Sequence, residues 1–314
     1  MEGDGAIVQV HPIDAAEADR TRDAIDLWLR SSNSSETRAT YSRAISTFQD
    51  FNNGRLLSAT AADIQRFSES LSDLAPASHN TYVAAVKSFF TFMQKMGLLQ
   101  FNPGVATPLK PVARRIAGKI LSEDEVFSMF AAEDDPRNRL VLQMLYYLGL
   151  RESELAGICF GHVHALSGHP KSPASIEIFG KGGKGRVLLF NATLWNSFRA
   201  WRRQVALRIH GDAEASPDEA DPVFVSRKAS KGFRAITRQQ IWKIVRNAAR
   251  KAMIGKPVSP HWLRHSHGTH YLWRGGNIAQ LKENYGHNSL QSTAFYLHAM
   301  PDDSTSLHLS EFEE

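Results

Sequence analysis

A proline-rich break divides this 314-residue chain into two differently patterned halves. The stretch Asn102-Pro-Gly-Val-Ala-Thr-Pro-Leu-Lys-Pro-Val-Ala-Arg-Arg115 carries three prolines and three basic residues in fourteen positions. Proline lacks an N–H donor and pushes the residue before it toward extended backbone, so no helix continues through such a run. Before the break the apolar spacing is helical throughout. After it, helical stretches flank two short alternating segments. The chain is long enough for each half to bury its own core. The expected architecture is mainly α with a small antiparallel β-sheet, a helical domain followed by a mixed α/β domain. The boundaries read as a flexible tail over 1–20, a helical domain over 21–101, a basic linker over 102–120 and a second domain over 121–314.

In the first half, Ile25, Trp28 and Leu29 form one apolar stripe, and Tyr41, Ala44, Ile45, Phe48 and Phe51 a second. Asn33 with Glu36 reads as a helix start, as does Thr60 with Asp63 ahead of Ile64, Phe67 and Leu71. Ser78 is the expected cap of the helix carrying Tyr82, Val83, Val86, Phe89, Phe90 and Met93, which stops at Gly97. In the second half Ser122-Glu-Asp-Glu125 is a capping box, and Arg139 to Leu148 is apolar enough for a buried helix. Ser175–Phe179 and Arg186–Phe190 flank Gly180-Lys-Gly-Gly-Lys-Gly185, a hairpin with a glycine-rich turn. His162 and His164 fit a surface turn. Helices follow over Leu194–Ile209 and Gln239–Met253, the latter opened by Thr237 with Gln240.

Composition narrows the function classes. A single cysteine, Cys159, excludes an intramolecular disulfide framework and fits a reducing compartment. No apolar run approaches the ~18 residues of a membrane span, and the acidic Met1-Glu-Gly-Asp-Gly start lacks a signal-peptide pattern. The expectation is a cytoplasmic protein with no membrane partner. The net charge of +5 is permissive for a polyanion without requiring one.

The chemistry-bearing residues gather late in the chain. His261-Trp-Leu-Arg264-His265 precedes Tyr285-Gly286-His287, and Tyr296 follows nine residues after His287. Arg151 stands in Leu148-Gly-Leu-Arg-Glu-Ser-Glu-Leu155. Guanidinium forks match phosphate oxygens, so two of them with imidazoles and a phenol suit attack on a phosphodiester without a metal. A phosphate-binding loop at Gly180–Gly185 fails, because no Gly-Lys-Ser/Thr follows and both flanks are strands. The turn instead offers Lys181 and Lys184 to a phosphate groove. A metal helix fails too: the glutamate of the zincin motif is missing and Arg264 stands beside the supposed cation. No metal and no cofactor are expected.

Arg151-x-x-Glu154-Leu155, the hairpin lysine, His261-x-x-Arg264, Gly286-His287 and Tyr296 come in an order that resembles the tyrosine recombinase (phage integrase) family along the whole chain. The resemblance implies a helical core-binding domain over 21–100 and a catalytic domain over 121–314, forming a clamp around duplex DNA. It implies that Tyr296 is the nucleophile of a 3′-phosphotyrosyl link, that Arg151 and Arg264 hold the scissile phosphate, and that Lys181 protonates the 5′-oxygen. It further implies that His261 and His287 hydrogen-bond the phosphate and assist proton transfer, while Glu154 supports the arrangement. Lys181 is favoured over Lys184 by the Gly-Lys-Gly-x-Lys pattern. The implied partners are double-stranded DNA with inverted-repeat core sites and a homo-tetramer on two DNA segments, passing through a Holliday junction. Integration, excision, resolution and transposition stay open, as do accessory proteins that set direction. In a prokaryotic cell the protein would associate with the nucleoid. With no further domain before residue 21, arm-site binding is not expected. Leu307, Leu309 and Phe312 would pack on a neighbouring subunit.

Two positions depart from the family pattern. Tyr285 stands where leucine is common, which puts a second phenol near the site. His267-Gly268 replaces an aromatic-small pair. The rival readings are a catalytically idle DNA-binding protein on the same scaffold and a metal-dependent nuclease using the histidines.

Overall fold

The structure, a computed structural model, describes residues 15–32, 34–112, 117–169, 171–180, 185–213, 215–227, 234–287, 289–294 and 296. It separates into two compact units, Met1–Ala113 and Arg114–Glu314.

The first unit is helical: α1 (Ala15–Arg30), α2 (Ser35–Phe51), α3 (Ala61–Ser70) and α4 (Pro76–Lys95). Residues 15–20, expected in the tail, form the opening turns of α1. The polar composition of that stretch hid a helix that begins before its apolar stripe does. Ser34, rather than Asn33, caps α2, its hydroxyl accepting from the Thr37 N–H at 3.3 Å. Thr60 and Asp63 form the expected capping box on α3. The fourth helix starts at Pro76, two residues before Ser78. Proline suits a first turn, where its missing N–H would be unpaired anyway. Gly97, at φ +72, follows the helix end, a backbone region that favours glycine.

Aromatic rings fill this unit's core. Trp28 stacks on Tyr41 at 5.0 Å and meets Phe89 edge-on, and Phe48 meets Phe67 and Phe90 edge-on. Each fully buried ring of this kind contributes about 1.5–3 kcal/mol of transfer free energy. Much of the proline-rich stretch, read from sequence as a linker, is hydrogen-bonded to α4. Lys87 donates to the Thr107 carbonyl, and Asn102 donates to Thr91 Oγ1 at 3.0 Å. Asn80 exchanges two bonds with the Lys110 backbone at 2.7 and 2.9 Å. Asn80, Lys87 and Thr91 lie on one helical stripe, so α4 supplies partners for a segment that cannot pair with itself.

The second unit begins with α5 (Glu123–Ala132), α6 (Pro136–Tyr147) and α7 (Glu152–Ala156). The sheet strands β1 (Val163–Ala165), β2 (Ala174–Phe179) and β3 (Gly185–Leu189) follow. The chain continues through α8 (Ala192–His210), α9 (Arg238–Lys251), α10 (Pro260–Trp273), α11 (Ile278–Tyr285) and α12 (Gln291–Ala294). Leu140, Val141, Leu142, Met144 and Leu145 make α6 the buried axis of the core. Strand order is β1-β2-β3, antiparallel throughout, and Phe179 pairs with Gly185 at the turn end of the hairpin. The lysine-bearing tip, 181–184, lies outside the described residues. His164, expected in a turn, belongs to β1 and faces Glu177 at 3.7 Å. The short apolar run around Val163 gives too little alternation to mark a strand by itself. Among the described residues the molecule is thus mainly helical with one small antiparallel sheet, as its patterning indicated. No helix among the described residues is long and apolar enough to cross a membrane.

Candidate active site

Glu154 is the centre from which the site is built. It sits at the third position of α7 and accepts the Arg151 N–H at 2.9 Å and the Arg151 guanidinium at 2.8 Å. Arg186 reaches the same carboxylate with both terminal nitrogens, at 3.0 and 2.9 Å, and its Nε donates to the Asn284 carbonyl at 2.7 Å. Arg264 stands 3.8 Å away. Burial raises the Glu154 pKa, but the hydrogen bonds from Arg186 and Arg151 outweigh it and leave the carboxyl below its ordinary value. Three guanidinium groups around one carboxylate leave excess positive charge beside a cleft of about 790 Å³. Arg151, Arg186, Lys282 and His287 line that cleft. Such a cleft selects for an anion.

Arg264 projects from α10 and is only 4% exposed. Its guanidinium donates to the carbonyls of Gly149 and Tyr285, the latter at 3.0 Å, and lies 3.9 Å over the Tyr285 ring. Burial lowers its pKa, yet an arginine starts high enough to stay charged. Gly149 permits the approach. Its φ is +59, and a Cβ there would lie 2.6 Å from the Tyr285 ring. The glycine of Leu-Gly-Leu-Arg thus makes room for the Tyr285 ring and offers its carbonyl to Arg264.

His287 follows Gly286, whose φ of +60 ends α11 and lets the His287 N–H return to the Lys282 carbonyl at 3.1 Å. His287 Nε2 faces Arg264 Nη2 at 3.4 Å, and Nδ1 faces Thr293 Oγ1 at 2.9 Å. Arginine can only donate, so the ring proton belongs on Nδ1. Burial, then Arg264 and Arg151, pull the His287 pKa down to about 4. His261 lies in the first turn of α10, its ring 6.4 Å from that of His265 and its Nε2 3.6 Å from Glu152, which also pairs with Arg238 at 3.1 Å.

Tyr296 is 3% exposed. Its hydroxyl meets His265 Nδ1 at 3.0 Å, and its ring packs edge-on against Tyr285 at 5.6 Å. Gly268 makes room for both phenols. A Cβ there would lie 2.8 Å from the Tyr285 hydroxyl and 3.2 Å from the Tyr296 ring. The glycine of the His267-Gly268 pair thus has a packing reason. Burial raises the Tyr296 pKa, and Arg264 and Arg151 oppose the rise. Tyr285 is fully buried and donates its hydroxyl to the Arg264 carbonyl, a partner that leaves it no free proton to give.

The structure therefore gathers Arg151, Glu154, Arg264, His287 and Tyr296, places His261 beside His265 and Glu152 at the edge of that group, and leaves Lys181 and Lys184 outside the described residues. Sequence reasoning missed Arg186, His265, Thr293 and the seating role of Tyr285. Arg186 had a signal. Strand alternation puts it on the inner face with Leu188, where an arginine needs a buried partner. Among the described residues no group of three His, Cys, Asp or Glu has metal-holding geometry.

Comparison with known proteins agrees along the chain. The sequence profile of the phage integrase family matches residues 119–302, and that of the phage integrase N-terminal SAM-like domain matches residues 24–97. Tyrosine recombinase XerC of Myxococcus xanthus is 32% identical over 250 residues, covering 77% of this chain and 78% of the relative. Tyrosine recombinase XerD of Pseudomonas aeruginosa is 28% identical over 298 residues, covering 92% and 93%. Two solved structures share the fold. One is the XerH site-specific recombinase bound to difH substrate, a pre-cleavage complex (TM-score 0.64, 21% identity, 86% of this chain and 77% of that one). The other is a lambda integrase dimer bound to a COC′ core site (TM-score 0.65, 14% identity, 98% and 86%). Fold and relatives together define the class, a tyrosine-type site-specific recombinase. The chain belongs to the phage integrase family.

Proposed function

We propose that this recombinase cuts and rejoins DNA through Tyr296, whose phenol oxygen attacks a phosphodiester to give a 3′-phosphotyrosyl link and a free 5′-hydroxyl. The observation that carries this reading is the shared seat of nucleophile and cation: Tyr296 packs on the Tyr285 ring that also holds Arg264. A phosphate placed before Tyr296 meets the arginines that offset its transition-state charge. The ester bond is exchanged rather than hydrolysed, so rejoining needs no ATP.

Arg151 and Arg264 take the non-bridging oxygens, and Glu154 with Arg186 keeps both in place. Lys181 protonates the 5′-oxygen leaving group, with Lys184 as its competitor on the same turn. His287 stands against the phosphate through Arg264, and His261 assists proton transfer from the edge of the site. The partner is duplex DNA with inverted-repeat core sites. Many Lys and Arg contacts to its phosphates give an affinity that falls steeply with salt. Four copies on two DNA segments exchange strands in pairs through a Holliday junction. The apolar residues Leu307, Leu309 and Phe312, assigned to packing on a neighbouring copy, lie outside the described residues.

The test uses a suicide substrate built from DNA flanking the gene. The wild-type chain should form a covalent complex, with undiminished yield in excess chelator. Tyr296→Phe should bind the same DNA in a gel shift and form no complex. Covalent capture by Tyr296→Phe, or loss of cleavage on chelation, would overturn the reading.

A further inference from the structure

We propose that His265 takes the proton from the Tyr296 hydroxyl as that oxygen attacks the DNA phosphate. The inference rests on the reading of Tyr296 as nucleophile and names the group that activates it. Arg264 and His265 are consecutive on α10, so the residue that follows the phosphate-holding arginine is the one that meets the phenol. The Nδ1–hydroxyl distance is 3.0 Å, and the two ring centres stand 5.7 Å apart.

The other nearby groups are less suited to take the proton. Tyr285 gives its own proton to the Arg264 carbonyl, and a neutral phenol oxygen is far too weak a base to take a second. His287 faces Thr293 with one nitrogen and Arg264 with the other. His261 Nε2 faces Glu152. Among the described imidazoles, His265 is the one whose nitrogen reaches the phenol.

Its surroundings keep it ready to accept. Burial, together with the neighbouring His261, Arg264 and Lys119, pulls its pKa down to about 4. The ring is therefore neutral near pH 7 and offers a lone pair to Tyr296. A weak base suffices here, because the phenol oxygen becomes steeply more acidic as it bonds to phosphorus, beside Arg264 and Arg151. In the step, the Tyr296 O–P bond forms and the P–O5′ bond breaks. The phenol proton moves to Nδ1, giving an imidazolium, and the 5′-oxygen takes its proton from the acid assigned to Lys181. On rejoining, the 5′-hydroxyl oxygen bonds to phosphorus and gives its proton back to the group assigned to Lys181, while the Tyr296 O–P bond breaks and the imidazolium returns its proton to the departing Tyr296 oxygen.

The experiment is single-turnover cleavage by the full chain carrying His265→Asn, whose amide oxygen can accept a hydrogen bond near the Nδ1 position but cannot take a proton. Two suicide substrates are compared, identical except for a bridging oxygen or a bridging sulfur at the 5′ position. Sulfur leaves without an acid, so it separates activation of the nucleophile from protonation of the leaving group. The variant should bind DNA normally and cleave both substrates about 100-fold more slowly. Its rate should climb with pH as hydroxide replaces the lost acceptor. A wild-type rate on both substrates, or a defect cured by sulfur, would overturn the proposal. Should the variant fail to bind DNA, His265→Ala with added imidazole takes its place: restored cleavage supports the assignment and no restoration overturns it. Tyr296→Phe runs alongside on the same substrates. If it still captures DNA, the reading of Tyr296 itself is wrong. If it does not, while His265→Asn cleaves normally, only the proton acceptor is misassigned.

Discussion

Arg264 and Tyr296 share one buried aromatic seat, but they are held there by different kinds of group. The arginine rests on main chain: the carbonyls of Gly149 and Tyr285 accept its hydrogen bonds, and Glu154, locked by Arg151 and Arg186, balances its charge. The tyrosine rests on side chains: its hydroxyl meets the His265 imidazole and its ring leans on Tyr285 and over Gly268. Burying a guanidinium costs several kcal/mol unless its hydrogen bonds and countercharge are supplied. The arginine frame is therefore coupled to folding. A phenol carries no charge until it reacts, so changes around Tyr296 should be felt in chemistry before stability.

The widest separation should come from Glu154→Ala. It strips the shared carboxylate from Arg186 and Arg264, and chemical denaturation should show a loss of about 3–5 kcal/mol. A loss under about 1 kcal/mol would mean that the frame is not ionically held. Next in size, Arg264→Lys keeps the charge but loses the planar fork and much of the stacking on Tyr285. Single-turnover cleavage should fall by about 100- to 1000-fold. A near-normal rate would move phosphate binding elsewhere.

The pH dependence of stability sharpens the same contrast. Within the frame, the Glu154 pKa lies below its ordinary value of 4.5 because its arginine partners outweigh the burial that raises it. The unfolded state then binds the proton more readily, so this group's contribution is present above that value and is lost as pH falls through the lower, folded-state pKa. The stability of the wild-type chain should fall below about pH 4.5 more steeply than that of Glu154→Gln.

The smallest effects belong to single hydrogen bonds. Thr293→Val removes the acceptor of His287 Nδ1–H, worth about 1 kcal/mol, and should slow cleavage by about fivefold. Tyr285→Phe deletes the bond to the Arg264 carbonyl while keeping the ring beneath the guanidinium. It should cost about 0.5–1.5 kcal/mol and still yield covalent capture. Lost capture with intact DNA binding would return Tyr285 to consideration as a reacting group.

Much of this was legible because it depends on local rules. Apolar periodicity and the Thr60, Ser122 and Thr237 caps marked most helices, and the alternation around the glycine-rich turn marked the hairpin. Arg151, Arg264, His287 and Tyr296 stood out through spacing. What stayed hidden depends on tertiary pairing. Arg186 reaches α7 and α11 from a strand, and Tyr285 receives Arg264 from another helix. Neither partner is near in sequence. Gly149 and Gly268 matter through atoms that a Cβ would strike, and their neighbours are known only after folding. The first helix began earlier than its stripe, and the proline-rich stretch found partners on α4, because polar residues carry little periodic signal.

The central claim is that Tyr296 carries the DNA. Its direct measurement is peptide mapping by mass spectrometry of the covalent complex trapped on the suicide substrate. The nucleotide should be found on the peptide containing Tyr296, joined through its 3′-phosphate. A nucleotide mapped to Tyr285, or a link through a 5′-phosphate, would contradict it.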